Sequence, residues 1–106
     1  MSNSTNPVVE VTIAVDKKGE IISVSPDPFI VRKLKDQMVR WICSKPKQKF
    51  SIEFENGSPF HDSQFSKDYP CSGLVRRGVV TDRKRIYKYS VRVGNKVLDP
   101  GGGVDK

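Results

Sequence analysis

The stretch YKYSVRVGNKVLDPGGG, residues 87–103, governs the reading of the rest. Tyr87, Tyr89, Val91 and Val93 recur at every second position, with Lys88, Ser90 and Arg92 between them. A period of two belongs to a strand with one buried and one wet face. Gly94-Asn95 is a turn signal and KVLDP a short extended piece. The glycines that follow read as a flexible C-terminal end over 101–106.

The same period runs upstream. VVEVTIAV (8–15) and EIISVS (20–25) read as strands joined by DKKG, where Gly19 tolerates a positive φ. Pro26 and Pro28 forbid a continuous central ladder, which puts FIVRK (29–33) on an edge or at a fresh start. In MVRWICS (38–44), Val39, Trp41 and Cys43 alternate with Arg40 and Ser44; Phe50, Ile52 and Phe54 alternate likewise with Ser51, Glu53 and Glu55. LVRRGVV (74–80) and IYKYSVRV (86–93) read as a hairpin across TDRK. Residues 56–73 have no period of either kind and form the long connection, compatible with a short helical turn around DSQFSKD or a functional loop. No window sustains a helical stripe for more than about two turns. The expectation is an all-β protein of about six to eight strands, a sandwich or small barrel.

A chain of 106 residues supports one core, burying about 65% of the surface that its unfolded form exposes. The expected organisation is a disordered tail over 1–7, one domain over 8–100 and the flexible end. No segment approaches the ~20 apolar residues of a membrane span, and MSNSTNP lacks the cationic start and cleavage site of a secretory leader. The expected compartment is the cytoplasm, with periplasm or secretion as the alternative if a leader has been removed. Two cysteines, Cys43 and Cys71, are too few for a disulfide framework and read as free thiols. Nineteen Lys and Arg against twelve Asp and Glu give a charge of +7, which permits polyanion binding.

In chain order, the PDPF segment, the V-x-W strand at Val39 and Trp41, the F-x-I-x-F strand from Phe50, a long variable loop, Ser72-Gly73 and Tyr87-x-Tyr89 carry a family likeness. The order resembles the cupredoxins, the Greek-key β-sandwich of small blue copper proteins, over residues 8–104. The ending VGNKVLDPGGGV is similar to that of small bacterial cupredoxin-like proteins that end in an L-D-P segment and bind no copper. A blue copper site needs two imidazoles and a thiolate. The resemblance places the first His near Phe50, the Cys at Val91, and the remaining ligands within 94–103. None is present, so neither copper nor any other cofactor is expected. Trp41, Phe50, Ile52, Phe54, Tyr87, Tyr89 and Val91 are instead the expected core, with the 87–93 face packing on Trp41, Phe50, Ile52 and Phe54 from a facing sheet.

Other chemistry has little support. His61-Asp62-Ser63 are sequential, whereas a nucleophile, base and orienting acid must converge from different directions. A Cys71–His61 pair would activate the thiol but lacks a supporting signature. Zinc-type ligand spacing is missing, DPGGGV has no following Lys-Ser/Thr or helix, and the sequon Asn3-Ser4-Thr5 matters only after secretion. Lys45, Lys47 and Lys49 cluster in one loop and Arg83, Lys84 and Arg85 in another, enough to neutralise several phosphates, yet the aromatics alternate away from them and provide no stacking platform.

The expected function is therefore a non-catalytic protein-interaction module, monomeric, using Phe60, His61, Phe65 and Tyr69 of the long loop. Binding of nucleic acid or another polyanion through the basic loops is the alternative. A thiol enzyme built on Cys71 comes last.

Overall fold

The computed structural model describes residues 8–106. The tail expected over 1–7 lies outside them. The fold is all-β, with ten strands in three sheets and a single 3₁₀ turn, Lys33–Lys35, among the described residues.

The first sheet has the order β2-β1-β4. β1 (Val8–Val15) and β2 (Ile21–Ser25) form an antiparallel pair. Their turn is closed by Asp16, whose carboxylate accepts the amides of Lys18 and Glu20, both at 2.9 Å. β4 (Met38–Cys43) runs parallel to β1, from Val8 opposite Met38 to Ile13 opposite Cys43. The second sheet, order β3-β10-β7, joins β3 (Phe29–Arg32), β10 (Gly101–Asp105) and β7 (Asp82–Lys88). The third, order β6-β5-β8-β9, joins β5 (Ser51–Glu53), β6 (Gln64–Ser66), β8 (Ser90–Val93) and β9 (Lys96–Leu98) in antiparallel pairs.

Alternation explains the core. Val11 and Ile13 of β1, Val39 and Trp41 of β4, Ile52 of β5 and Val91 and Val93 of β8 all point inward, as do Phe29, Val31 and Val104 of the second sheet. Six rings pack at its centre: Phe29, Trp41, Phe54, Phe60, Phe65 and Tyr89. Their stacked and edge-on contacts have centroids 4.9–6.4 Å apart, the range in which aromatic pairs add about 0.5–1.5 kcal/mol beyond burial. Phe50, Tyr87 and Tyr89 are buried as well.

Several sequence expectations are corrected. Residues 101–105 are not a flexible end. They form β10, buried and central in its sheet, parallel to β3 and antiparallel to β7. A Cβ on Gly102 would collide with the Phe29 ring, so the bare backbone is what lets the strand pass beneath it. The domain accordingly extends past residue 100. LVRRGVV is not a strand: Val75 makes one isolated bridge to Phe60, and Gly78 turns the chain at φ +91°. TDRK is not a hairpin, because Asp82 already begins β7. DSQFSKD forms β6 and a tight Ser66–Tyr69 turn rather than a helical turn. The alternating run 86–93 is divided between two sheets at Tyr89, whose amide donates to the Pro100 carbonyl. Val91 thus pairs with Ile52 inside one sheet instead of facing it across the core.

Candidate functional site

Of the four loop residues expected to make contact, two do not reach the surface. Phe60 and Phe65 belong to the ring cluster, Phe65 stacked on Trp41 at 4.9 Å. The loop is held inward by Ser58, whose hydroxyl donates to the Asp62 carbonyl at 2.8 Å and accepts the Phe60 amide at 3.0 Å. Arg76 clamps the same turn, its Nε and Nη2 donating to the Ser58 carbonyl at 3.0 and 2.7 Å. His61 and Tyr69 are exposed, Tyr69 by 74%.

Tyr69 borders a shallow groove of about 730 Å³ on the outer face of β5 and β6. Pairing of Ser51 with Ser66 and of Glu53 with Gln64 sets four polar side chains in two rows across these strands. Asp62 and Ser63 close one end, and Gln64 Nε2 donates to Glu53 Oε2 at 3.5 Å. The groove mixes polar and apolar surface in about equal parts, Ile52 and Phe65 lying among its polar residues, and it carries carboxylates with one exposed aromatic at its rim. Of its lining, Tyr69 and Phe65 belong to the loop residues expected from sequence, Phe65 with its ring buried, whereas Ser51 and Glu53 are legible only as the wet positions of their strand. A neighbouring depression of about 520 Å³ is lined by Glu53, Glu55, Lys88, Ser90 and Asp99, where the Ser90 hydroxyl donates to Asp99 Oδ1 at 3.1 Å.

The two basic sets are not brought together. Lys45, Lys47 and Lys49 follow the end of β4, where Lys45 Nζ donates to the Lys17 carbonyl at 2.7 Å. Arg83, Lys84 and Arg85 sit at the start of β7, beside the end of β10 and the start of β1. β1 spans eight residues, about 25 Å, between these ends.

Cys43 is buried and Cys71 exposed, both as free thiols. Among the described residues no group of three or more His, Cys, Asp and Glu side chains converges as a metal site, and no helix is long and apolar enough to cross a membrane. Phe50 and Val91, the positions that the cupredoxin likeness assigns to ligands, are buried in apolar packing. Comparison with known protein families, curated proteins and solved structures gives no match.

Proposed function

We propose that the chain is a non-catalytic binding module that takes a protein partner in the groove of β5 and β6. The observation that carries this reading is the exposed Tyr69 ring at the rim of a mixed floor, in which Ser51, Glu53, Gln64 and Ser66 supply the polar groups and Ile52 and Phe65 apolar surface. A tyrosine is an amphipathic anchor with little conformational freedom to lose, which is why it recurs in contact surfaces. The floor supplies hydroxyl, carboxamide and carboxylate groups for a partner's backbone. A copper-free cupredoxin-like framework belongs to the same proposal. The parallel β1–β4 pair beside the antiparallel β6-β5-β8-β9 sheet supports it.

Photo-crosslinking tests this reading. A benzophenone side chain at position 69, used in extract from the native cell, is expected to give a discrete protein adduct that the same group at the exposed position Ile22 on β2 does not give. Tyr69→Ala should then weaken the captured partner about tenfold or more, the ordinary loss for a central anchor. Identical adducts from both positions, or none from 69, would discard the groove.

A further inference from the structure

Three turns that are distant in sequence converge at one end of the molecule. The β1–β2 turn (16–20), the loop 44–50 and the β8–β9 turn (94–95) are tied by Lys45 Nζ to the Lys17 carbonyl at 2.7 Å and by Lys96 Nζ to Glu20 Oε2 at 3.7 Å. Gln48 also lies against Gly19, its Oε1 2.9 Å from where a Cβ would stand. Their meeting gathers Lys17, Lys18, Lys45, Lys47, Lys49 and Lys96 against two carboxylates, Asp16 and Glu20. Asp16 is engaged by turn amides and Glu20 by Lys96. Six ammonium groups against two carboxylates leave +4, more than half of the chain's net charge of +7, at this one tip.

We propose that this tip docks the phosphodiester backbone of a nucleic-acid duplex, without reading its sequence. Lysine ammonium groups are point charges that neutralise phosphates but lack the planar fork with which arginine reads guanine. The three segments present no exposed aromatic ring, Phe50 being buried, so bases have no surface on which to stack. An anionic bilayer is disfavoured by the same segments. Apart from Pro46 they expose no apolar side chain to enter the headgroup region, and interfacial binding draws on buried apolar area as well as charge. The opposite end is the weaker candidate because four of its cations are engaged within the protein, Lys84 being the exception in its run. Arg83 pairs with Asp105 at 3.6 Å, Arg85 lies over the Tyr87 ring at 4.7 Å, Arg32 Nε donates to the Lys106 carbonyl and Lys33 Nζ to the Val79 carbonyl. At the tip, the ammonium groups of Lys17, Lys18, Lys47 and Lys49 have no partner among the described residues. The tip adjoins the β5–β6 groove, since loop 44–50 leads directly into Ser51, but the two share no named residue and neither proposal depends on the other.

Fluorescence anisotropy with short labelled duplexes of DNA and of RNA, titrated over a range of salt, is the test. Binding is expected to exceed the nonspecific level of about 10⁻⁴ M at physiological salt, with log K falling linearly in log salt. Changing Lys45, Lys47 and Lys49 together to Gln should flatten that slope by about two to three units; the same change at Arg83, Lys84 and Arg85 should leave it within about one. Should the first triple variant not fold, Lys17→Gln with Lys18→Gln probes the same tip and should flatten the slope by about one to two. Equal losses from the two ends would mean diffuse attraction and overturn the proposal. So would the absence of duplex binding, or binding of anionic phospholipid vesicles in its place.

Discussion

Tyr89 sits where the chain passes from the second sheet to the third, with its ring inside the aromatic cluster. Its ring stacks on Phe54 at 4.9 Å, and its hydroxyl accepts the Trp41 Nε1 proton at 3.3 Å. Burial pushes the phenol well above its usual range, and the charge of Asp27 adds to that, while the bond from Trp41 acts in the other direction. A folded-state value raised above the unfolded one, which is about 10, means that the neutral ring is favoured by folding. Its contribution is complete below pH ~10 and is lost progressively above it, where the unfolded chain releases the proton first. Tyr89→Phe should therefore cost about 1–3 kcal/mol at neutral pH, because Trp41 loses its acceptor in a buried site. The same variant should lose less further stability than the parent between about pH 10 and 12. Denaturant midpoints measured over that range check both halves of the statement. Parallel curves for parent and variant would show that the phenol is not the group that titrates.

Among the elements, β10 shows most clearly what a side-chain pattern conveys and what it omits. In β1, β4, β5 and β8 the alternation of apolar and polar residues names the buried face correctly, since each inward position carries a bulky group. Gly101-Gly102-Gly103 has no side chains to alternate, so a central strand reads as a loose end. LVRRGVV errs in the opposite sense: Val79 is buried and Val75 half-buried, as a strand would have them, yet the segment follows an irregular path with no ladder partner. Alternation also reports faces and not neighbours. It cannot say that β7 and β8 lie in different sheets, or that Ile52 sits beside Val91. The tight passage of β10 gives the test at this scale. Gly102→Ala drives a methyl into the Phe29 ring, which is fixed in the core, and should cost about 1–3 kcal/mol, the range for overpacking. In Gly101→Ala the methyl meets the Ile86 Cγ2 atom, on a side chain 41% exposed that can turn aside. Its cost should be clearly smaller. Equal losses in thermal melts would mean that Phe29 yields as easily as Ile86.

At the scale of the whole molecule, the sequence displays its surface charges but not their grouping. Lys45, Lys47 and Lys49 are visible as a run, whereas Lys17, Lys18 and Lys96 join them only through the fold. The groove was half legible for a related reason. Tyr69 stands out in the loop, but Phe60 and Phe65 look equally available until the ring cluster claims them. What the grouping implies physically is self-repulsion. Cations collect at both ends of β1, about 25 Å apart, which is within the ~30 Å Debye length at 0.01 M salt and far beyond the screening length in concentrated salt. Opposing this among the described residues are two ion pairs, Arg83–Asp105 and Lys96–Glu20, with side chains 30–69% exposed. Pairs of that kind contribute about 0–1 kcal/mol and are themselves weakened by salt. Repulsion should therefore win, and the melting temperature should rise as sodium chloride increases from about 0.01 to 0.5 M. Each kcal/mol of relieved repulsion corresponds to about 4–8 °C in a domain of this size. The Lys45, Lys47 and Lys49 triple Gln variant should begin higher at low salt and rise less. A parent whose melting temperature falls as salt is added would show that attraction between its surface charges outweighs the repulsion of its two basic ends.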